Sequence, residues 1–490
     1  MTKQQHIGAG EAGGYEEAVR IPVFPDKTFY VTDFGAVGDG VTSNTRAFNE
    51  ALEACSSAGG GTVVIPKGLW LTGPIQMRSK VRLHAERGAL VTFSRNFDEY
   101  PLIRSNYEGL KAMRVMPPIY GENLTDIAIT GPGIFDGSGE AWRPVKKFKM
   151  NDRQWKEIVS SGGFDDGNGM WWPTKEASEG REVTEALQAE GVTDLSRYEP
   201  YKVYLRPVLL GFTSCNGVLL DGPTFQNSGS WCLHPRLCEH VTIRHVTVRN
   251  PWHSVNGDGL DLDSCRYANI HDCSFDVGDD AICLKSGKNE QGRRIGVPTE
   301  YVTIRDCTVY HGHGGFTVGS EMSGGVRHVE VRDCTFIGTD NGLRFKSTRG
   351  RGGVVEDIRV SNVWMKDIVH SAIVFDMYYE IRQEYAEMVP VSEETPIFRN
   401  IRIQDTYCTG AKKGIFLRGL PEMPLDRLTF ERVTVSADEG ITCIDAQQIV
   451  FREVQVHAKS LPAYTERSCS DIRFIGADGE EVRVPQHPTA

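Results

Sequence analysis

The chain has 490 residues, of which 40% are hydrophobic and 24% are charged, so a large core can form and global disorder is excluded. Its formal net charge of -11 argues against nucleic acid as a partner, because phosphate binding requires a basic surface. No run of eighteen apolar residues occurs, so no membrane span is expected, and the sequence leaves the oligomeric state open.

The first residues, MTKQQHIGAGEAGGYEEAV, lack the charged and then apolar arrangement of a secretory signal. Together with Met1, this favours a cytoplasmic location, the alternative being a signal that has been removed. We assign residues 1–28 to an N-terminal segment. Residues 29–490 are predicted to form a single domain, on the basis of the repeats described below.

The first elements of that domain are a helix and a set of strands. Residues 43–61, SNTRAFNEALEACSSAGGG, have apolar residues at helical spacing and end in glycines. They predict a helix that caps one end of the domain, and strands follow from GTVVIPKGLWLTG. Residues 145–203 show no strand repeat, carry many charges and contain Trp155, Trp171 and Trp172. We interpret them as one long insertion.

From about residue 208 the sequence repeats runs of alternating β-formers, such as VTIRHVTV and VTIRDCTV. The anchor positions of eight successive runs are Ile243, Ile270, Ile304, Val331, Val360, Ile403, Phe430 and Phe451. Units of this length are too short for propeller blades and contain no helical pattern. Two or three short strands per unit, separated by Gly, Asp and Asn turns, indicate an all-β fold, a parallel β-helix. Its coils stack about 4.8 Å apart.

The twelve cysteines include no CxxC pair, which argues against a zinc site. Cys273, Cys307 and Cys334 each follow a β-rich run at the same offset. This spacing predicts a ladder of buried, reduced thiols that pack as small hydrophobic side chains.

The second strands of successive coils align on pairs of inward-facing apolar residues. The pairs are Leu260/Leu262, Ile282/Leu284, Phe316/Val318 and Leu343/Phe345. Asp258 and Asp280 each lie two positions before their pair, so they should stack on adjacent coils. Asp279 lies beside Asp280, and His313 should stack on Asp279 from the next coil.

Crowded carboxylates disfavour joint ionisation, so at least one of these three aspartates should have a raised pKa. A protonated acid beside ionised partners is what cleavage of a glycosidic bond requires, because one group protonates the leaving oxygen while another activates water. The alternative is that the aspartates form turns or bind calcium, as single aspartates in such a solenoid often do. The stacked set with His313 favours catalysis.

Arg344 and Lys346, in LRFKS, are predicted on the outward side of a strand two coils beyond the aspartates. A lone Arg-x-Lys is usually a solvated strand face. In line with a carboxylate cluster, the pair indicates a clamp for an anion such as a uronic acid.

Four motifs, NGDGLD, GDDAICLKSG, HGHGGFTVGSE and RFK, resemble in order and spacing the signatures of glycoside hydrolase family 28, the polygalacturonases. The similarity runs from DFGAVGDGVTSNTRAF, residues 33–48, to about residue 460. It implies a right-handed parallel β-helix that hydrolyses with inversion and needs neither a metal nor another cofactor.

By this resemblance Asp279 is the general acid, Asp258 and Asp280 hold and activate the water, and His313 tunes the acid. The substrate-binding residues that it implies are Asn256, His234, Arg344, Lys346, and Tyr378 or Tyr379. For the two tyrosines, an ordinary structural role is an equal alternative.

The departures from the family pattern are mild. Gly257 replaces the usual Thr, Phe345 replaces the usual Ile, and His311 and Gly312 precede the His313 motif. None of these changes removes a catalytic group. The stretches DLDSC and SWCLHP resemble bacterial exo-acting members more than fungal endo-acting ones.

We therefore predict an enzyme that releases galacturonic acid from the non-reducing end of pectin-derived oligogalacturonides. The insertion at 145–203 should wall off one end of the groove, because long insertions in compact folds are usually functional. The rival hypotheses are a calcium-dependent pectate lyase and a non-catalytic glycan-binding solenoid. The linkage stays open among homogalacturonan, rhamnogalacturonan and xylogalacturonan.

Overall fold

Parallel strands stack coil upon coil along most of the chain in the computed structural model, which describes residues 14–381 and 387–482. One column of twelve strands, sheet 1, runs the length of the stack. In chain order its strands are Ile75–Gln76, Ile119–Glu122, Leu210–Thr213, Leu233–Arg236, Leu260–Asp263, Ile282–Lys285, Gly314–Val318, Asn341–Lys346, Ser371–Asp376, Lys413–Arg418, Glu439–Ile444 and Tyr464–Arg467. The predicted fold class, a right-handed parallel β-helix with a capping helix, is confirmed.

The remaining 23 parallel strands form sheet 2, which bends to give the other two faces of the solenoid. Its first face contains Thr28–Tyr30, Gly61–Ile65, Val81–Ala85, Thr125–Thr130, Asn216–Asp221, Glu239–Arg244, Arg266–His271, Thr299–Arg305, Ala446–Arg452 and Ser470–Ile475. Its second face contains Asp39–Ser43, Gly68–Thr72, Ala89–Phe93, Ile134–Asp136, Thr224–Gln226, Thr247–Arg249, Ser274–Asp276, Thr308–Tyr310 and Gln455–Ala458. The strands Val326–Ile337, Val354–Lys366, Ile397–Thr409 and Leu425–Ala437 are long enough to run along both faces.

The core fills the solenoid because alternate side chains of every strand point inward. Leu260 pairs in register with Ile282, and Ile282 pairs with Phe316 on the following coil. Phe316 then pairs with Leu343, and all four side chains are fully buried. This is the register that the apolar pairs predicted. Each such burial contributes about 1.5–3 kcal/mol.

The predicted cysteine ladder is present. All twelve cysteines are free thiols, and eleven are buried. Cys307 lies between Cys273 and Cys334 and exchanges thiol hydrogen bonds with both. The contact with Cys273 and burial outweigh the opposite effect of Cys334 and raise the pKa of Cys307 well above its usual range, so the thiol stays protonated and packs as an apolar group.

In the part of the chain that the structure describes, four α-helices lie outside the coils: α1 (Thr45–Ser57), α2 (Asp152–Ser160), α3 (Lys175–Ala189) and α4 (Asn289–Ile295). Helix α1 covers the N-terminal end of the core with Phe48 and Leu52, as the sequence predicted. Short 3-10 helices span Tyr15–Ala18, Val31–Phe34, Phe97–Glu99, Gly139–Ala141, Lys147–Lys149, Leu195–Arg197 and Glu199–Tyr201. None of the helices within the described ranges combines the length and apolar character needed to cross a membrane.

The region predicted as an insertion, 145–203, leaves the solenoid between strands of sheets 2 and 1. It contains α2, α3 and an antiparallel sheet of Val145–Lys146, Met170–Trp172 and Phe164–Asp165. Trp155 and Trp171 pack on Val145 in a small core of their own. The insertion is therefore folded, rather than a loose loop.

A β-hairpin that the sequence did not predict joins two coils near the N-terminal end. Its antiparallel strands are Leu102–Tyr107 and Leu110–Val115. The backbone N–H of Lys111 donates to the side chain of Gln291 in α4 at 2.9 Å. The hairpin thus extends along one edge of sheet 1 as far as the coil of strand Ile282–Lys285, four coils beyond Ile119–Glu122.

Residues 14–20, here called the N-terminal strap, lie across the outer face of sheet 2. Arg20 donates to the side chain of Asn216 at 2.7 Å, and Arg332 donates to Glu16 at 2.8 Å. The strap is part of the segment predicted at 1–28, of which residues 1–13 lie outside the described residues.

Candidate active site

Three aspartates meet at the N-terminal ends of two neighbouring strands of sheet 1. One carboxylate oxygen from each of Asp258, Asp279 and Asp280 lies within 4.8 Å of the other two. The backbone N–H of Gly259 donates to the carbonyl of Asp280 at 2.9 Å, which fixes the stagger between the coils. The structure therefore brings together the cluster that the strand alignment predicted.

Asp280 is buried and held by two cations. Its Oδ2 accepts from Lys346 at 2.8 Å, and its Oδ1 accepts from Arg344 and from Thr317, each at 3.1 Å. Burial alone raises the pKa of this carboxyl, but Lys346 and Arg344 outweigh burial and hold the pKa well below its usual range. Asp280 is therefore ionised.

The two residues of the predicted clamp are thus already in contact with a carboxylate of the cluster. Lys346 is 6% exposed and Arg344 is partly buried, so neither is a solvated residue of an open strand face. Any anion bound by this pair would share the two cations with Asp280.

His313 contacts Asp279 from the next coil, as predicted. Its Nδ1 lies 3.0 Å from Oδ1 of Asp279, and its Nε2 lies 3.7 Å from Asp340. Burial lowers the pKa of His313, but the bond to Asp279 outweighs burial and raises it. In return, burial raises the pKa of Asp279, and the histidine brings it below its usual value.

Asp258 is the carboxyl of the cluster that retains a proton most readily. It is 3% exposed, and its Oδ1 has no hydrogen-bond partner among the described residues. Burial raises its pKa well above the usual range, and the charges of Asp261 and Asp279 raise it further. This is the effect that the crowding predicts.

A buried ionic group next to the aspartates was missed by the sequence analysis. Nζ of Lys285 lies 2.7 Å from Glu321 and 3.6 Å from Asp261, and 4.8 Å from the centre of the Trp231 ring. Lys285 pairs in register with Asp263 on sheet 1. A signal existed, because Asp261 and Lys285 occupy outward positions on strands whose inward positions are apolar.

The remaining substrate-binding candidates lie at different depths. Tyr379 faces the clamp, with its ring centre 4.8 Å from Nζ of Lys346. Tyr378 is 3% exposed and belongs to the hydrophobic core, with the Arg418 guanidinium over its ring. The structure therefore brings Tyr379 to the site but not Tyr378, because the turn after strand Ser371–Asp376 interrupts the alternation of side chains.

Asn256 and His234 lie on the N-terminal side of the aspartates. Oδ1 of Asn256 accepts from Arg206 at 2.9 Å. His234 is buried against the edge of the Trp231 ring, and its Nε2 lies 3.6 Å from Asp263. Neither residue has a contact with the carboxylate cluster in the described structure, and His234 lines a cavity on that side of the cluster.

The glycine that replaces the usual Thr has a local explanation. A Cβ atom at Gly257 would lie 1.8 Å from the hydroxyl oxygen of Ser254. Ser254 is buried and donates to the carbonyl of Pro251 at 2.6 Å. The serine fills the space that a side chain at position 257 would need.

Two walls enclose the cluster. At the N-terminal ends of the sheet 1 strands, Lys149 of the insertion places its Nζ 3.4 Å from Nε2 of His313. At the C-terminal ends, the hairpin tip accepts a hydrogen bond from the backbone of Lys288 through Gly109. The insertion therefore reaches the cluster itself, and the hairpin reaches the coil that carries Asp279 and Asp280.

Three close carboxylates could in principle hold a cation. Both oxygens of Asp280, however, already accept from Lys346, Arg344 and Thr317, and Asp279 is paired with His313. Calcium requires six to eight oxygen ligands. The arrangement suits proton transfer better than calcium binding.

Comparison with known proteins agrees with this chemistry. Residues 146–448 match the family Glycosyl hydrolases family 28, and residues 28–106 match the family Rhamnogalacturonase A/epimerase, pectate lyase-like. The chain is 29% identical over 448 residues to the "Probable polygalacturonase" of Vitis vinifera, covering 88% of this chain and 80% of that protein. It is 23% identical over 405 residues to the "Exo-poly-alpha-D-galacturonosidase" of Dickeya chrysanthemi, covering 80% of this chain and 64% of that protein.

A solved structure extends the comparison to the fold. The crystal structure of a hyperthermoactive exopolygalacturonase from Thermotoga maritima matches 96% of each chain with a TM-score of 0.75 and 29% identity. The family match covers more than half of the present chain and includes the three aspartates, His313 and the clamp. The chain is therefore a glycoside hydrolase that belongs to glycosyl hydrolases family 28.

Proposed function

We propose that the protein is an exo-acting polygalacturonase, which releases galacturonic acid from the non-reducing end of oligogalacturonides. The general activity is supported by the family match and by polygalacturonase relatives. The exo mode is supported by similarity to the Dickeya and Thermotoga proteins, whose names state exo action. The single observation that carries it is the contact between Lys149 and His313, because it brings the insertion to the catalytic cluster.

In this proposal Asp279 and His313 act as a pair that holds one transferable proton. The proton between Nδ1 of His313 and Oδ1 of Asp279 can move to the carboxyl and then to the leaving oxygen. The raised pKa of His313 keeps the pair protonated at a higher pH than an isolated imidazole allows. Asp279 therefore acts as the acid although its own pKa is lowered.

Asp280 activates the water and Asp258 holds it. Asp280 is ionised because of Arg344 and Lys346, and Asp258 retains a proton with a free oxygen that can orient the water. When a galacturonate carboxylate shares the clamp, Asp280 loses part of its neutralisation and becomes a stronger base. Substrate binding then prepares the base.

Hydrolysis with inversion follows from the family resemblance. The closest oxygens of the three aspartates lie within 4.8 Å, whereas acid and base carboxyls of inverting enzymes are typically about 6.5–9.5 Å apart. The spacing does not itself indicate inversion, which is taken from the family; we propose that the water lies beside Asp258 and Asp280. Proton NMR of the first product formed tests this, since a retained anomer would contradict the roles given to these residues.

The exo mode is tested by the products formed from long and short chains. We expect free galacturonic acid to be the first and dominant product from trigalacturonate and from polygalacturonate, with little early loss of viscosity. The variant Asp279→Asn serves as the inactive control. An early ladder of mixed oligomers from the polymer would contradict the proposal.

A further inference from the structure

The carboxylate of Asp280 accepts three hydrogen bonds from the described side chains, and one of the donors is neutral. Oδ1 accepts from Arg344 and from the hydroxyl of Thr317, each at 3.1 Å, whereas Oδ2 accepts from Lys346 at 2.8 Å. An ionised carboxyl offers about four lone-pair sites on its two oxygens. With two donors on Oδ1 and one on Oδ2, the site that the described residues leave free belongs to Oδ2.

The three donors differ in how far a ligand can reach them. The side chain of Arg344 is 19% exposed and that of Lys346 is 8% exposed, whereas Thr317 is fully buried. An anion bound by the clamp competes with Asp280 for the guanidinium and the ammonium, but it does not reach the buried hydroxyl. Thr317 is therefore the donor that stays on Oδ1 when the clamp is shared.

The direction of the Thr317 hydroxyl is set by sheet 1. Thr317 occupies an outward position between two core residues, and it pairs in register with Cys283 on the preceding coil and with Arg344 on the following coil. The thiol of Cys283 donates to the carbonyl of Gly319 and does not compete for the carboxylate. A β-branched side chain has few χ1 rotamers, so the hydroxyl is held in place at little cost in entropy.

A glycine on the same strand makes room for this contact. A Cβ atom at Gly314 would lie 2.2 Å from Oγ1 of Thr317 and 3.0 Å from Oδ1 of Asp280. Even a methyl group at position 314 would therefore displace the hydroxyl, the carboxylate or both. The absence of a side chain at Gly314 allows the hydroxyl to reach the carboxylate.

We propose that Thr317 is a positioning residue that, together with Arg344, occupies Oδ1 of Asp280, so that Oδ2 takes the proton of the attacking water. The inference rests on the proposed function, in which Asp280 is the base. In this step the water gives a proton to Oδ2 while its oxygen bonds to the anomeric carbon. The bond from that carbon to the leaving oxygen breaks, and the leaving oxygen takes the proton held by Asp279 and His313.

The test removes the hydroxyl and keeps the shape of the side chain. In Thr317→Val, Oδ1 has a free lone pair, so the water has a second, unproductive site on the same carboxylate. We expect kcat on trigalacturonate to fall by about 10- to 100-fold, as for the loss of one hydrogen bond to a charged group. KM and the affinity for galacturonate, measured by calorimetry, should be unchanged because Thr317 does not touch the substrate. Thr317→Ser keeps the hydroxyl and should keep most of the kcat.

The matched control is Thr406→Val, which makes the same change at a buried position of sheet 2. The hydroxyl of Thr406 donates to the carbonyl of Gln404 at 3.0 Å, so this variant should keep both kcat and KM. If thermal unfolding shows that Thr317→Val does not fold, Thr317→Ser and Thr317→Ala give the comparison, because they differ from each other by the hydroxyl. Equal kcat in folded variants with and without the hydroxyl, or a change in KM alone, overturns the inference.

Asp280→Asn separates this inference from the proposed function. If Asp280→Asn keeps the wild-type kcat, Asp280 is not the base, and the proposed mechanism and the role of Thr317 are both wrong. If Asp280→Asn is inactive and Thr317→Val has the wild-type kcat, the role of Thr317 alone is wrong. An inactive Asp280→Asn, with a loss of kcat in Thr317→Val that serine does not show, supports both.

Discussion

His313 is joined to Asp279 twice, once through its side chain and once through its backbone. Its Nδ1 lies 3.0 Å from the carboxylate, and its backbone N–H donates to the carbonyl of Asp279 at 2.8 Å. The close approach requires Gly312, which has a φ of 146° and whose Cβ would lie 2.8 Å from that same carbonyl. The position of the proton-holding pair is thus set by the stagger of the coils.

Replacing His313 with Gln should change the pH dependence as well as the rate. Because Asp279 raises the pKa of His313 above its usual value of 6.5, wild-type activity should fall only as the pH rises beyond that value. The kcat of the variant should be lower by about 100-fold or more. The fall in activity on the alkaline side of its pH–rate profile, here called the alkaline limb, should be absent or lie at a different pH. Rate profiles of kcat/KM against pH test this, and an unchanged alkaline limb would assign the proton to another group.

Replacing Lys149 with Gln should move the alkaline limb to higher pH. The positive charge of Lys149 lowers the pKa of His313, so its removal lets the histidine keep its proton longer. The control is Lys147→Gln, an exposed residue of the same turn. If both variants match the wild-type profile, the insertion does not reach the cluster in solution.

Replacing Asp258 with Asn should lower kcat by about 100-fold or more. The same substitution should stabilise the folded protein. The folded-state pKa of Asp258 lies above its usual value of 3.8, so the residue ionises first in the unfolded chain, and wild-type stability falls as the pH rises above about 4. Asn cannot ionise, so the stability of the variant relative to the wild-type protein should increase towards neutral pH. The difference should vanish below pH about 4. Thermal unfolding at several pH values measures it, and a gain that is equal at all pH values would argue against a raised pKa.

Replacing Lys346 with Met should destabilise the protein as well as weaken substrate binding. It leaves Asp280 buried with Arg344 as its remaining cation, and breaking a buried ion pair costs about 3–5 kcal/mol. The pKa of Asp280 in the folded protein lies below its usual value of 3.8. The ionised carboxylate therefore contributes its full stabilisation above pH 3.8, and this stabilisation is lost as the pH falls through the folded-state pKa. Denaturant unfolding at pH 7 and at pH 3 should show the larger loss at pH 7.

Chelation of divalent cations should leave turnover unchanged. Arg344, Lys346 and His313 already neutralise two of the three aspartates, so no calcium is needed to hold the cluster together. Assays of kcat after exhaustive treatment with EDTA measure this. Loss of turnover that calcium restores would instead support a lyase mechanism, as would an unsaturated product.

The register of sheet 1 could be predicted because it depends on a local pattern. Inward apolar pairs such as Leu260/Leu262 and Ile282/Leu284 repeat with period two, and coils of this kind stack directly. Once those pairs are aligned, the positions of Asp258 and Asp280 follow. The position of the carboxylate cluster could therefore be predicted from the sequence alone.

The contact of the insertion with the cluster could not be predicted in the same way. Lys149 is a single residue without a repeating pattern, and its contact with His313 joins parts of the chain 164 residues apart. The contact between Lys346 and Asp280 was not predicted either. The strand pattern predicts that Lys346 points outward, but it does not predict which side chain it meets there. Tyr378 and Tyr379 could not be separated, since strand alternation does not continue through a turn.

The N-terminal strap changes how the solenoid resists local opening. In a stack of coils each coil touches only its neighbours, so a coil can open nearly independently of distant ones. The contacts of Arg20 with Asn216 and of Glu16 with Arg332 span five successive coils, three of which carry Asp258, Asp279 and His313. Separating any two of these coils must also break a contact of the strap, so the five coils open as one cooperative unit. The spacing of the carboxylates is thereby protected by a segment that lies on the opposite face of the molecule.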